Sequence, residues 1–299
     1  MQGEPVLPKE MQIKRQFVYS TLKRVIADCE GVTGVERNES ISDIVRMVKE
    51  KIHYNETEKG CIGIVDSLRQ IARDSNLWIS GGGIHEAGAP PLKDNDDNAG
   101  GRVYNTHIII NDQGEVVCRY RKIHLFEVSI PSQQLTLRES DTTAPGDSIV
   151  VCHDSPIGSL GLSTCYDVRF PEQYTELAKN GAQVLLVPSA FTVPTGQAHW
   201  HTLLRARAIE NQCYVIAAAQ YGVHNKKRAS YGHSIAIDPW GVVLADAGGF
   251  DGPGTAQLST NNEAQAPPII ITCDIDLNHL SSIRERMPIQ KHREQAKLL

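Results

Sequence analysis

The chain has 299 residues, enough for one large α/β domain or two smaller ones with a sizeable core. Its 40% hydrophobic and 22% charged residues and formal charge of −5 give no electrostatic footing for nucleic acid or an anionic membrane surface. No apolar run approaches the ~20 residues that span a bilayer, and the opening MQGEPVLPKEMQIKRQ lacks the apolar centre of a secretory signal. A cytoplasmic location is expected, with a mitochondrial one open to a longer form.

The first 60 residues read as charged and helical. Ile41, Ile44, Val45, Val48 and Ile52 form an apolar stripe that Ser40 or Ser42 can cap, and such a stripe faces a core. From residue 61 helical and strand patterns alternate. Ile62, Val65, Leu68 and Ile71 recur at helical spacing and lead into the strand LWISGGGI (77–84). A polar surface loop follows over 87–101. Next, NTHIII (105–110), the turn NDQG (111–114) and EVVCRY (115–120) predict a hairpin. SIVVC (148–152) and GSLGLST (158–164) predict a second strand pair joined by SPIG.

PEQYTELAKNG (171–181) reads as a helix that starts at proline and stops at glycine. Then come the strand VLLVPSA (184–190), the helix AHWHTLLRARAIENQ (198–212) and the strand CYVIAAAQY (213–221). On the helix, Trp200, Leu203, Leu204 and Ile209 are expected to bury one face. GHSIAIDPWG (232–241), VVLADAG (242–248) and IIITCDID (269–276) complete the strands, with a turn at Asp238–Gly241 and a Gly/Pro/Asn-rich loop over 248–268. Hairpins mixed with helical crossovers exclude a purely parallel doubly wound sheet. They suit one domain in which two mixed sheets pack face to face with helices outside.

Seven cysteines without a CxxC pair argue against a disulfide framework and a structural zinc site. His199 and His201, two apart on a helix, point in different directions, so no metal is implied. Three segments carry candidate chemistry. RKIHLF (121–126) puts Lys122 directly after a strand, LRESD (137–141) offers Glu139, and LGLSTCYDVRFPE (160–172) ends an apolar strand at Cys165 before turning towards a helix. A strand-to-helix turn exposes a nucleophile beside free backbone N–H groups, and a helix dipole there favours thiolate. Taken alone these signals are modest. A cysteine ending an apolar strand is more often structural, and a lysine in RYRK more often solvated. Ser163 and the histidines also leave open a Cys–His hydrolase with His124 or His199 as base.

The three segments, in this order, resemble the nitrilase superfamily of amidases and nitrile hydrolases, whose catalytic set is Glu–Lys–Cys. RKIHLF is similar to that family's lysine motif, placing the lysine at Lys122, and STCYDVRFPE to its cysteine motif, placing the nucleophile at Cys165. Glu139 corresponds to an additional glutamate near the lysine. The resemblance continues through VPSAFTVPTGQAHWHTLLRARAIENQCYVIAAAQ (187–220), YGHSIAIDPWG (231–241), DIDL and RERMP. It runs from about residue 61 to 293, with 294–299 as a tail. CYDVRFPE, LLRARAIENQCYV and AAAQYGVHNKKRASYGHS resemble the Nit branch, in particular its amidases acting on deaminated glutathione.

The resemblance implies a four-layer α-β-β-α sandwich, no cofactor, and a homodimer or larger assembly. It implies attack by Cys165 on an amide carbonyl, with the oxyanion held by Lys122 and the Tyr166 N–H. Phe191 and Thr192 are expected to line the acyl pocket. Arg169 would either contact a substrate carboxylate or form an ion pair that fixes the loop. The expected products are 2-oxoglutarate and cysteinylglycine. An ω-amidase acting on 2-oxo acid amides is the neighbouring reading.

Residues 1–60 depart from the family. Its opening strand and the LPE segment that carries the general base are absent, and VLPKE, with Glu10, is only an echo. Impaired activity is therefore expected of the chain as it stands, restored by an N-terminus carrying that strand and glutamate. The alternative is a binding or assembly subunit.

Overall fold

Leu68, Ile71 and Ala72 share one face of α1 (Ile64–Ser75) and bury it on β2 (Ile79–Glu86) and β3 (Val103–Ile110). The structure is a computed structural model that describes residues 18–19, 63–90, 102–130, 135–225, 228–249 and 269–296. Asn76 ends α1 in the left-handed conformation, at φ 52°, and returns its N–H to Ala72 and Arg73 carbonyls.

The predicted hairpin forms between β3 and β4 (Val116–Arg121), where Asn111 Oδ1 accepts the N–H groups of Gln113 and Glu115. The first sheet runs β1 (Val18–Tyr19), β2, β3, β4, with β7 (Thr143–Ala144) also beside β3. No strand is expected in residues 1–60, yet Val18 and Tyr19 pair in parallel with Ile79 and Ser80. Two residues are too short a run to show alternation, so the sequence gives no sign of them. The 41–52 stripe with Ser40 and Ser42, Glu10, and the position where an LPE glutamate is sought lie outside the described residues.

The second sheet runs β15 (Val243–Asp246), β14 (Ile235–Ile237), β11 (Tyr214–Ala217), β10 (Val184–Leu186), β9 (Gly158–Leu162), β8 (Val151–Ser155). Its middle pairs β9–β10 and β10–β11 are parallel and its outer pairs antiparallel, so the fold is a mixed α/β one, as the hairpins require. Two ribbons stand apart, β5 (Glu127–Ile130) with β6 (Leu135–Arg138) and β12 (Tyr221–Asn225) with β13 (Arg228–Tyr231).

Strand alternation sorts the apolar side chains. In β3, Ile108 and Ile110 join the α1 cluster, while Ile109 joins Leu160, Leu162, Val184 and Leu186 of the second sheet. In β10, Leu185 faces the other way, onto α2 (Pro171–Lys179) and α3 (Val193–Asn211), among Tyr174, Leu177, Trp200 and Leu204. The end of β3 and all of β10 are thus buried on two faces, which explains their continuous apolar runs, whereas β4 and β15 keep exposed positions.

Three expectations need correction. First, α3 begins at Val193 rather than Ala198, because Thr192 takes the extended N-cap conformation and Pro194 sits in the first turn, where its missing N–H costs nothing. Second, Ile209 does not join the buried stripe of Trp200, Leu204 and Ala208; it is 45% exposed and lies over the Gly241 turn. Third, IIITCDID makes no ladder among the described residues. Ile269 and Ile270 are both exposed, the residues from Ile270 to Asp276 alternate between exposed and half-buried, as in an extended segment, and Ile275 packs on the inter-sheet core. α4 (Leu277–Arg286) and α5 (Ile289–Ala296) follow, with Asp276 accepting the N–H groups of Asn278 and His279.

Candidate active site

β9 stops at Leu162, and Cys165 opens a short 3₁₀ turn, Cys165–Arg169, with φ at +52°. A side chain in this left-handed region costs roughly 1–2 kcal/mol, so the surroundings must hold it there. The parallel β9–β10 pairing does so: Ser163 N–H meets Leu186 O, and Cys165 N–H donates to Pro188 O at 2.8 Å. The next N–H, that of Tyr166, has no acceptor among the described residues and is available to an oxyanion. α2 begins at Pro171, as the sequence predicts, and the 3₁₀ turn fills the interval between the cysteine and that helix.

Asp167 ties this turn to the lysine segment. Fully buried, its Oδ2 accepts Tyr120 OH at 2.7 Å and Thr164 N–H at 2.8 Å, and its Oδ1 accepts the backbone N–H and Nδ1 of His124 at 3.0 and 2.8 Å. Burial, with the Asp167 charge beside it, pushes the Tyr120 phenol well up, which keeps it a donor. Tyr120 OH in turn accepts from Gln173 Nε2 and Ile123 N–H. Buried His107 makes a second tie. Its Nδ1 donates to Ser163 O at 2.9 Å, since a carbonyl can only accept, which leaves Nε2 to accept from Ser80 Oγ at 2.7 Å. Burial holds this imidazole down to about 4, against a raising influence from the Ser163 carbonyl and Asp167.

Lys122 leaves β4 with its backbone fixed to Asn105 O and Gly146 N–H, and is 2% exposed. Its ammonium meets Glu139 Oε2 at 2.5 Å. The same oxygen accepts Phe126 N–H at 2.7 Å, and Oε1 accepts Asn105 Nδ2 at 3.3 Å. Glu139 thus spends both oxygens on holding Lys122 and its loop. Among the described residues no carboxylate hydrogen-bonds the Cys165 thiol. Neither do the imidazoles weighed as bases. His124 is engaged by Asp167 and stacked on Phe170, and His199 Nδ1 lies 3.3 Å from Arg169 Nη1.

The expected binding residues flank this frame. The Tyr166 ring sits edge-on to Phe126 and Phe170, at 5.2 and 5.5 Å. The Arg169 guanidinium lies over the Tyr166 and Phe191 rings, at 5.7 and 5.4 Å, with no carboxylate partner among the described residues. Phe191 packs on Trp200, and the Thr192 hydroxyl meets that of Thr195 at 2.8 Å. Asp167, His107 and Asn105 are missed by the sequence reading. Their roles depend on contacts across 27 to 56 residues, and only the charged Asp167 inside the cysteine motif could have drawn attention.

The other thiols differ from Cys165 in setting. Burial pushes Cys213 up to about 11 and raises Cys273, while a hydrogen bond with Cys152 lowers Cys118.

A cysteine on a strained turn, tied by a buried aspartate to the segment that carries a lysine–glutamate pair, is the candidate centre. The carbon–nitrogen hydrolase family profile matches residues 42–285, and the chain belongs to that family. It is 49% identical to deaminated glutathione amidase of Dictyostelium discoideum over 78% of this chain and 72% of that one. It is 43% identical to deaminated glutathione amidase of Homo sapiens over 85% and 70%. Among solved structures it resembles the Caenorhabditis elegans NitFhit protein, at TM-score 0.64 and 39% identity, over 95% of this chain and 57% of the other. It also resembles Saccharomyces cerevisiae Nit3, a member of branch 10 of the nitrilase superfamily, at TM-score 0.59 and 30% identity over 79% and 73%. No described helix is long and apolar enough to cross a membrane.

Proposed function

We propose that the chain is an amidase that hydrolyses deaminated glutathione to 2-oxoglutarate and cysteinylglycine through a Cys165 thioester. The observation that carries this reading is the fixed geometry of strained Cys165 and the Lys122–Glu139 pair, on a chain whose relatives bear that enzyme's name. In this reading Cys165 Sγ bonds to the amide carbonyl carbon. The oxyanion is held by Lys122 Nζ and the Tyr166 N–H, the amine leaves with a proton, and water cleaves the thioester. Glu139 supports the site by holding Lys122, since its oxygens are already engaged. The carboxylate that moves the proton is sought outside the described residues.

Arg169, cationic and without a carboxylate of its own among the described residues, suits the far carboxylate of a 2-oxoglutaryl group, with Thr192 as a second donor and Phe191 as apolar wall. The frame is a four-layer α-β-β-α sandwich forming one catalytic domain over about 61–293. Exposed Ile209, Trp240 and Val242, gathered where α3 meets the Gly241 turn before β15, support assembly with a second copy.

Competition between deaminated glutathione and a simple ω-amide of a 2-oxo acid tests the substrate. Preference for the former is expected, and preference for the ω-amide makes the chain an ω-amidase instead. Turnover below that of a normal enzyme by roughly 10²–10⁴ would mean that the general base is missing from this chain.

A further inference from the structure

α3 and the β14–β15 hairpin bring together three side chains that the chemistry above does not use. His201 Nε2 lies 2.8 Å from Asp246 Oδ2, and His233 Nδ1 lies 2.9 Å from Asp246 Oδ1. The three ligand-capable atoms all lie within 4.8 Å of one another, and they form the one such group among the described residues. We propose that His201, His233 and Asp246 bind a divalent cation of the zinc class, at a site that shares no residue with the Cys165–Lys122 centre.

The chemistry of the donors points to that ion. Two imidazole nitrogens and one carboxylate are a borderline set, suited to zinc rather than to magnesium or calcium, which ask for oxygen alone. In the metal-free array two N–H groups converge on a single carboxylate. One cation replaces both protons, with release of any that the neutral imidazoles do not retain on their other nitrogens. A tetrahedral zinc with bonds of about 2.0–2.1 Å sets its donors about 3.3 Å apart. Asp246 Oδ2 lies 2.8 Å from His201 Nε2 and 3.1 Å from His233 Nδ1, so both contacts open by a few tenths of an ångström. The two imidazole nitrogens, within 4.8 Å of one another, settle at the same separation. His201 and Asp246 are 34% and 27% exposed at the side chain, which leaves a side open for water as a further ligand.

The site is also held in shape from behind. His233 adopts φ +58°, its N–H donates to Gly248 O at 2.8 Å, its carbonyl accepts Trp200 Nε1 at 2.8 Å, and its ring stacks on Tyr231 at 4.4 Å. Asp246 Oδ1 accepts Gly248 N–H at 2.8 Å, and pairing of Asp246 with Ile235 fixes the strand that carries it. The two histidine rings meet edge to face, 4.8 Å apart. A donor set fixed by its neighbours before the ion arrives loses little entropy on binding. Spacing along the sequence hides the site, because His201, His233 and Asp246 come from three separate segments.

The test uses the full chain as Cys165→Ala, so that the nucleophilic thiol does not compete for the metal. Metal-stripped protein is titrated with Zn²⁺ against a chromophoric chelator, and with Co²⁺ for its visible spectrum. The expected result is one ion per chain, a nitrogen/oxygen-type Co²⁺ spectrum without thiolate charge-transfer bands, and a melting temperature raised by Zn²⁺. His201→Gln, on the half-exposed face of α3, and Asp246→Asn should each weaken binding by at least about tenfold. They should also abolish the melting shift. Should Asp246→Asn fail to fold, His201→Gln decides alone. Zn²⁺ affinity unchanged in His201→Gln, thiolate bands from Cys118 or Cys152, or no stoichiometric binding would overturn the proposal and leave a hydrogen-bonded His–Asp–His array.

Discussion

On the first sheet's side of the site, Lys122 is almost fully buried and its ammonium is held by the Glu139 carboxylate. On the second sheet's side, Cys165 has no ionic partner among the described residues and is fixed by its backbone, at φ +52° with its N–H on Pro188 O. The first half depends on charge balance: remove one partner and a buried charge stands alone. The second depends on register: the turn keeps its conformation only while β9 and β10 stay paired. Asp167 joins the halves, because one carboxylate accepts donors from both loops. Breaking each half separately should therefore give different signatures.

The largest effects belong to the groups proposed to react. Cys165→Ala should abolish turnover, and a thiol reagent at neutral pH should label Cys165 ahead of Cys118 and far ahead of Cys213. Retained turnover, or Cys118 labelling first, would remove Cys165 from the role. Lys122→Ala should lower kcat/KM by about 10²–10³, or roughly 3–4 kcal/mol, the worth of one oxyanion donor. A drop confined to KM would instead make Lys122 a binding residue. Asp167→Asn leaves both reacting groups in place but turns two of Asp167's acceptor positions into donors that face other donors. A stability loss of about 2–4 kcal/mol is expected in urea unfolding, with kcat falling alongside. Unchanged stability would mean that the two loops are held apart from this carboxylate.

The sequence made the elements of the second sheet legible because their apolar runs are bounded by turn residues, as at Pro171, Gly181 and the Asp238–Gly241 turn. It did not reveal β1, too short to alternate, nor the true start of α3, where Pro194 serves the first turn. IIITCDID has strand composition, yet composition cannot say whether a neighbouring backbone is there to pair with. Within the site, Lys122, Glu139 and Cys165 stood out through their motifs. Asp167, His107 and Asn105 did not, because a buried hydrogen-bond network is a property of the assembled chain.

His107 offers a pH signature for the join between the sheets. Its folded value is about 4, against an ordinary value of 6.5, because burial disfavours the charged ring. The neutral form fits the fold, so this contribution to stability is fully present above about pH 6.5. It is lost as pH falls towards 4, where the folded ring also protonates. The difference is worth up to about 3 kcal/mol. Urea unfolding at pH 7 and pH 5 should show a loss that His107→Gln flattens. An equal loss in the variant would assign the pH dependence to other groups.

The smallest effect separates positioning from stability on the first sheet's side. A Cβ at Gly83 would stand 2.3 Å from Asn105 Oδ1, the side chain whose amide reaches Glu139. Asn105 ends in a movable group, so Gly83→Ala should displace it rather than unfold the sheet. The expected cost is about 1 kcal/mol of stability, the worth of the hydrogen bond lost. Because Glu139 then holds Lys122 with one partner fewer, kcat should fall several-fold while KM changes little. The neighbouring Gly82 supplies the control. Its φ of +65° makes Ala there strained, at roughly 1–2 kcal/mol, but the nearest atom is Pro188 Cβ at an ordinary 3.6 Å and Asn105 is untouched. Gly82→Ala should therefore cost at least as much stability with a smaller change in kcat. If both variants lose activity in proportion to stability, the Asn105–Glu139 contact supports the fold and does not tune the lysine.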